Sequence, residues 1–114
     1  MDIKLQVRGI AQNARSASFA LARCSTDQKN RALAEMAAEL IRQRTYLQEE
    51  NGKDLAYARQ AGLSAAMLDR LMLKESTIGA MAGGLEEVAA LPDPVGKVTS
   101  MWRRPNGLLV GKMR

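Results

Sequence analysis

Apolar residues recur at spacings of three and four along most of this 114-residue chain. That period marks helices that bury one face. Ile3, Val7, Ile10, Ala14, Ala17 and Leu21 form one such stripe and predict a first helix over residues 2–23, with Asp2 where a negative charge suits the helix dipole. Ser25-Thr26-Asp27-Gln28 has the Ser-x-x-Gln spacing of a capping box. A second helix should run from there to about Arg44, burying Leu33, Met36, Ala37, Leu40 and Ile41. Thr45-Tyr46-Leu47-Gln48 repeats the capping pattern and predicts a third helix over 46–61, with Leu47, Leu55 and Ala58 inward. Asn51-Gly52 could end or kink it, and Gly62 reads as a C-cap glycine. Ser64 is placed to cap a short fourth helix through about Met72. A fifth, over 75–90, carries Ile78, Met81, Ala82, Leu85 and Val88. Gly79, Gly83 and Gly84 weaken it, each by about 1 kcal/mol against Ala, a cost that close packing of another backbone would offset. Pro92-Asp93-Pro94 then ends all helical structure.

Beyond the prolines the composition changes to that of strands. Val98–Arg103 and Leu108–Gly111 flank a Pro105-Asn106-Gly107 turn, which predicts a β-hairpin. The expected fold class is therefore mainly α: about five helices followed by a C-terminal β-hairpin. The organisation expected is a helical segment over 1–94 and a hairpin segment over 95–114. A lone hairpin is marginal in water unless it packs on something or joins a larger sheet, so this end suggests a piece of something larger.

Charge sharpens that division. Lys97, Arg103, Arg104, Lys112 and Arg114 give the last eighteen residues five positive charges and no negative one. They account for the whole formal charge of +5, leaving twelve basic against twelve acidic residues before Lys97. A basic patch of this kind can mark nucleic acid or an acidic partner. Here nucleic acid is disfavoured, because the helices contribute no net charge and Trp102 is a single aromatic, a poor stacking platform. The apolar residues are mostly Ala, Leu and Met; seven methionines suggest adaptable packing. One cysteine excludes a disulfide framework and fits a reducing compartment. No apolar run is long enough for a signal peptide or a membrane span, so a soluble cytoplasmic protein is expected.

Candidate chemistry is sparse. The chain has no histidine, which excludes a histidine base, triad or zinc cluster. Cys24 lies beside Arg23 and just before a helix start, a setting that can activate a thiolate, but a small apolar filler at a helix corner is the favoured reading. Glu49-Glu50, Glu86-Glu87 and Glu35/Glu39 could pair as carboxylates. Adjacent residues on a helix point apart, and i,i+4 glutamates usually form a solvated face. Gly79-x-x-x-Gly83 suggests close helix packing. No glycine-rich loop follows a strand, so there is neither a P-loop nor a dinucleotide fingerprint. No catalytic, cofactor-binding or metal-ligating residue is assigned.

Several stretches carry a resemblance. Gly62-Leu63-Ser64-Ala65-Ala66-Met67-Leu68-Asp69-Arg70-Leu71 is nearly the Gly-Leu-Ser-x-Ala-Met-x-Asp-Arg-Leu run of the gamma-glutamyl phosphate reductases, also called glutamate-5-semialdehyde dehydrogenases. Asp93-Pro94-Val95-Gly96 is similar to that family's exit from its helical segment. Met101-Trp102-Arg103-Arg104-Pro105-Asn106-Gly107-Leu108 resembles the hairpin that follows, and Lys29-Asn30-Arg31 fits the start of the second helix. The motifs cover essentially the whole chain in the right order.

The resemblance implies a fragment, roughly the first quarter, of an α/β aldehyde dehydrogenase-like enzyme. Such an enzyme has a Rossmann-like NADPH domain, a catalytic domain with a nucleophilic cysteine, and a small β-rich oligomerisation element to which the hairpin would belong. The implied reaction is the second step of proline synthesis from glutamate: NADPH reduces L-glutamyl 5-phosphate to L-glutamate 5-semialdehyde and phosphate is released. A thiolate attacks the acyl phosphate and hydride resolves the thioester. The family's catalytic cysteine lies far downstream and Cys24 does not match it. The piece alone is therefore expected to be inactive and to bind no NADPH. Its implied partners are the rest of its own chain and further copies in a homo-oligomer. The alternative is a non-enzymatic helical module that binds an acidic partner or nucleic acid through hairpin 97–114.

Overall fold

The structure is a computed structural model and describes residues 2–114. Five α-helices precede a two-stranded antiparallel sheet: α1 Ile3–Leu21, α2 Thr26–Arg42, α3 Arg44–Gln60, α4 Ala65–Leu71, α5 Glu75–Ala90, β1 Val98–Arg103 and β2 Leu109–Met113. The expected fold class is what forms. The chain divides into two compact units: the N-terminal residues through Thr26 together with Pro92–Arg114, and Asp27–Leu91.

The second unit holds the core. Ala37 of α2, Leu55 and Ala58 of α3, and Ile78 and Ala82 of α5 are buried, Ile78 to 1% exposure. Three of these five are alanines. Leu33, Leu40, Leu47 and Leu85 are half-buried beside them. Met36, Ile41, Met81 and Val88, expected on buried faces, are exposed.

Three local expectations are corrected in this unit. First, α3 starts at Arg44, with Gln43 at its N-cap and no side-chain capping bond, so Thr45 lies inside the helix and caps nothing. A single non-helical residue separates α2 from α3. Second, α3 does not end at Asn51-Gly52 but runs on to Gln60. The Asn51 amide is spent on distant backbone groups and so does not compete for the helix's own. Third, Gly79, Gly83 and Gly84 meet no close neighbour: a Cβ built at each finds nothing within 4 Å. The close backbone packing expected at Gly79 and Gly83 does not occur among the described residues.

Other signals act as read. At the end of α3, Gly62 takes a left-handed φ of 77°, Leu63 N–H donates to the Ala58 carbonyl and Gly62 N–H to that of Arg59. This paired arrangement is a Schellman motif. Ser64 caps α4, its hydroxyl accepting from Met67 N–H at 3.3 Å. Exposed ion pairs Arg44–Glu75 and Lys74–Asp69 join α3 and α4 to the start of α5, at a worth of about 0–1 kcal/mol each.

In the first unit, Asp2 is the N-cap of α1 and accepts from Lys4 N–H at 2.9 Å. The predicted apolar stripe forms, but α1 has no buried residue. Ile3, Val7, Ile10 and Leu21 are all more than half exposed. Thr26 Oγ1 donates to Asp93 Oδ2 at 2.8 Å, while Asp93 Oδ1 accepts from Val95 N–H at 3.0 Å. That carboxylate fixes the turn after the prolines.

The hairpin pairs Trp102 with Val110 and Arg103 with Leu109, and the register shifts between Val98 and Ser100, at Thr99. β2 begins one residue later than expected and runs on to Met113, past the predicted end at Gly111. Arg114 continues the pairing, donating to the Lys97 carbonyl and accepting from Gly96 N–H. Gly107, at φ 85°, completes the turn by donating to the Arg104 carbonyl at 2.9 Å. Gly111 sits in a tight spot, since a Cβ there would lie 3.1 Å from the Ser100 carbonyl oxygen and the facing strand would have to give slightly.

Candidate functional site

Three features of the described residues could carry function: an apolar groove, a buried asparagine and the basic hairpin. The groove lies in the second unit, where α2, the start of α3 and α5 diverge. It has a volume of about 890 Å³ and is walled by Met36 and Leu40 from α2, Leu47 from α3, and Met81, Leu85 and Val88 from α5, with Gly84 on the α5 wall. Glu39, Gln43 and Tyr46 form its polar margin. Glu39 is already engaged: it pairs with Arg42 and accepts from Gln43 Nε2 at 2.9 Å. The lining thus offers apolar contact rather than convergent polar groups. Small-molecule sites usually have several of those.

Asn51 is the residue that sequence reasoning missed. It is 6% exposed. Its Nδ2 donates to the Leu71 carbonyl at 2.9 Å and its Oδ1 accepts from Leu73 N–H at 2.8 Å. Both ends of one amide therefore hold the chain as it leaves α4, and Gln48 Nε2 adds a longer bond to the Leu73 carbonyl. A signal was present in the sequence. Leu47, Asn51, Leu55 and Ala58 share one helical row at spacings of four, four and three, which marks Asn51 as a polar residue in a buried position that must find partners.

The other candidates are brought no closer to chemistry. Cys24 sits half-buried at the corner between α1 and α2, and its thiol donates to the Ala20 carbonyl at 3.5 Å. Among the carboxylates, Glu50 accepts from Lys53 Nζ, and this hydrogen bond, followed by the attraction of the Glu50 charge, raises the Lys53 pKa above its ordinary value. Among the described residues, no three Asp, Glu, Cys or His side chains come together as a metal site would need. Lys97, Arg103, Arg104, Lys112 and Arg114 are all exposed, with Arg103 donating to the Gly107 carbonyl across the turn. None of the described helices is long and apolar enough to cross a membrane.

Comparison with known proteins gives this arrangement a context. No protein-family model matches the chain. Gamma-glutamyl phosphate reductases from Geotalea daltonii and Geobacter metallireducens are each 57% identical over all 114 residues, and that from Citrifermentans bemidjiense is 54% identical. The chain spans 27% of the length of each of these relatives. The crystal structure of gamma-glutamyl phosphate reductase from Thermotoga maritima matches 91% of the chain and 25% of its own, with a TM-score of 0.86 at 35% identity. The Saccharomyces cerevisiae reductase matches 90% of the chain and 26% of its own, with a TM-score of 0.82 at 34% identity. From its first residue to its last, the chain matches the N-terminal region of gamma-glutamyl phosphate reductase.

Proposed function

We propose that this chain is the N-terminal portion of an NADPH-dependent enzyme that reduces L-glutamyl 5-phosphate to L-glutamate 5-semialdehyde, the second step of proline synthesis from glutamate. The observation that carries the reading is 57% identity to reductases so named, sustained over all 114 residues. The overall change is balanced as follows. The acyl carbon gains a hydride from NADPH, its bond to the phosphoryl oxygen breaks, and phosphate leaves.

The role of the described residues in this reading is architectural. A nicotinamide dinucleotide is usually cradled by a glycine-rich turn between a strand and the helix it feeds. Here the two strands form a hairpin with each other, and the glycine cluster Gly79, Gly83 and Gly84 lies inside α5. The residues present do not fit the cofactor, so no step of the reaction is assigned to them. Residues 1–94 supply a helical scaffold. Residues 95–114 form a bridging element that leads into the rest of the enzyme and contributes to a homo-oligomer. The cytoplasm, where the substrate would be made and used, is the compartment this reading requires.

The test is the reverse reaction: NADP⁺ reduction driven by L-glutamate 5-semialdehyde and dependent on phosphate. It is run on the 114-residue chain and on the full-length chain of which these residues are the proposed N-terminus. The full-length chain should reduce NADP⁺ and the 114-residue chain should not. An inactive full-length chain overturns the enzyme assignment. Activity in the 114-residue chain overturns the placement of the chemistry outside it.

A further inference from the structure

The sequence holds two Asn-Gly pairs, Asn51-Gly52 and Asn106-Gly107, and the proposed reaction uses neither. Such a pair is chemically reactive, because glycine has no side chain to keep its backbone nitrogen from the asparagine amide carbon. The structure treats the two pairs in opposite ways. Asn51 is 6% exposed and lies inside α3, with its Nδ2 on the Leu71 carbonyl and its Oδ1 on Leu73 N–H. Both polar atoms of that amide are held, and the helix fixes the backbone torsion that would have to turn. Asn106 is exposed and belongs to no helix or strand. Its Oδ1 accepts from Leu108 N–H at 3.1 Å, which draws electrons from the amide carbon. Gly107 N–H is held by one turn bond, to the Arg104 carbonyl at 2.9 Å. Arg103 Nη1 lies 3.3 Å from the Gly107 carbonyl oxygen, so a guanidinium stands beside the residue whose amide must lose a proton, and its charge favours the anion.

We propose that Asn106 is a site of spontaneous deamidation, with water as the co-reactant, and that the fold shields Asn51 from the same reaction. The Gly107 nitrogen gives its proton to solvent base and attacks Asn106 Cγ. A C–N bond forms, the Cγ–Nδ2 bond breaks, and the amide nitrogen takes a proton and leaves as ammonia. Water then opens the cyclic imide. Breaking the new Cγ–N bond gives aspartate; breaking the bond between the Asn106 carbonyl carbon and the Gly107 nitrogen gives isoaspartate. Nothing is oxidised or reduced. Either product places a carboxylate in a segment, 97–114, that has five positive charges and no negative one. Isoaspartate also routes the main chain through Cβ and lengthens it between Arg104 and Leu108, which are joined across the turn by a 2.7 Å bond from Arg104 N–H to the Leu108 carbonyl. Aspartate therefore keeps the turn, and isoaspartate loosens it.

The test is an ageing experiment on the full-length chain, incubated at neutral and at mildly alkaline pH. Peptide mass spectrometry reads the exchange of amide for carboxylate at each asparagine, and chromatography separates the aspartate and isoaspartate peptides. Each rate is normalised to that of the same asparagine in the urea-unfolded polypeptide. Asn106 should deamidate at least about tenfold faster than Asn51 on this scale. Its rate should climb with pH, since the attacking nitrogen must lose a proton, and both products should appear. In the isoaspartate form the Arg104 amide should exchange with solvent faster than in the unaged chain. Asn106→Gln should remove the signal from the hairpin and leave Asn51 as it was. Equal normalised rates at the two sites overturn the proposal, as does an Asn106 that stays intact while the unfolded polypeptide reacts. Aspartate without isoaspartate, or a rate indifferent to pH, overturns the imide route. The outcome is independent of the activity assay, because no step involves substrate or cofactor.

Discussion

Asn51→Ala tests whether one buried amide holds α3 to the exit of α4. The substitution removes the donor to the Leu71 carbonyl and the acceptor for Leu73 N–H, at 2.9 and 2.8 Å. Each such bond nets about 0.5–1.5 kcal/mol. Against this, Ala gains up to about 0.7 kcal/mol of intrinsic helix preference over Asn. Leu71 is exposed and Leu73 half-buried, so water can reach the orphaned backbone groups and their penalty stays at the low end of its range. The expected net loss is about 1–2 kcal/mol, read as a lowered urea midpoint in the helical circular-dichroism signal with an unchanged m-value. Asn51→Asp separates the two bonds. It keeps an acceptor for Leu73 N–H but sets a second oxygen against the Leu71 carbonyl, so it should cost at least as much as Ala despite its near-identical shape. In both variants the Leu73 amide should exchange with solvent faster than in the unaltered chain. An Ala variant within about 0.5 kcal/mol of the unaltered chain, with the Leu73 amide equally protected, would refute the clamp.

Ile78→Ala empties the most deeply buried position of the core and should lower unfolding free energy by about 2–5 kcal/mol in the same titration. Gly79→Ala and Gly83→Ala should each stabilise the 114-residue chain by up to about 1 kcal/mol, because a Cβ at either position meets nothing within 4 Å; destabilisation would reveal a close contact that the structure lacks. Glu50→Gln should bring the Lys53 pKa down towards its ordinary 10.5, the hydrogen bond and charge of Glu50 being the main causes of its rise, as followed by NMR titration. Since the folded-state pKa is raised, the stabilisation from this exposed pair is fully present below pH 10.5 and fades as pH climbs through the raised value; the Gln variant should lose that alkaline dependence.

Element identity was legible because the local signals agree with one another. Ser64 and Gly62 punctuate α3 and α4 with groups whose hydrogen bonds can be named from sequence, and Pro92 and Pro94 end the helices by removing donors. What misled was the pairing of a local signal with a competing long-range one. Thr45 has the chemistry of a cap, but α3 begins at Arg44, a residue earlier. Asn51-Gly52 has the chemistry of a break, but the Asn51 amide is worth more on Leu71 and Leu73, residues about twenty positions away that no local window contains. The candidate site was less legible still. A groove is a gap between elements, and the sequence of α5 says only that Met81, Leu85 and Val88 share one side of a helix.

Amphipathic periodicity records burial against whatever covers a helix, whether or not that cover lies in the same stretch of chain. The stripe of α1 is as regular as that of α2, yet α1 has no buried residue while α2 buries Ala37. The glycines of α5 make the complementary point. Their cost in helix stability, about 1 kcal/mol each, is not offset by any close approach among the described residues. A sequence that keeps an apolar stripe on α1, an apolar wall on α5 and unneeded glycines beside that wall has more recognition surface than its own core consumes.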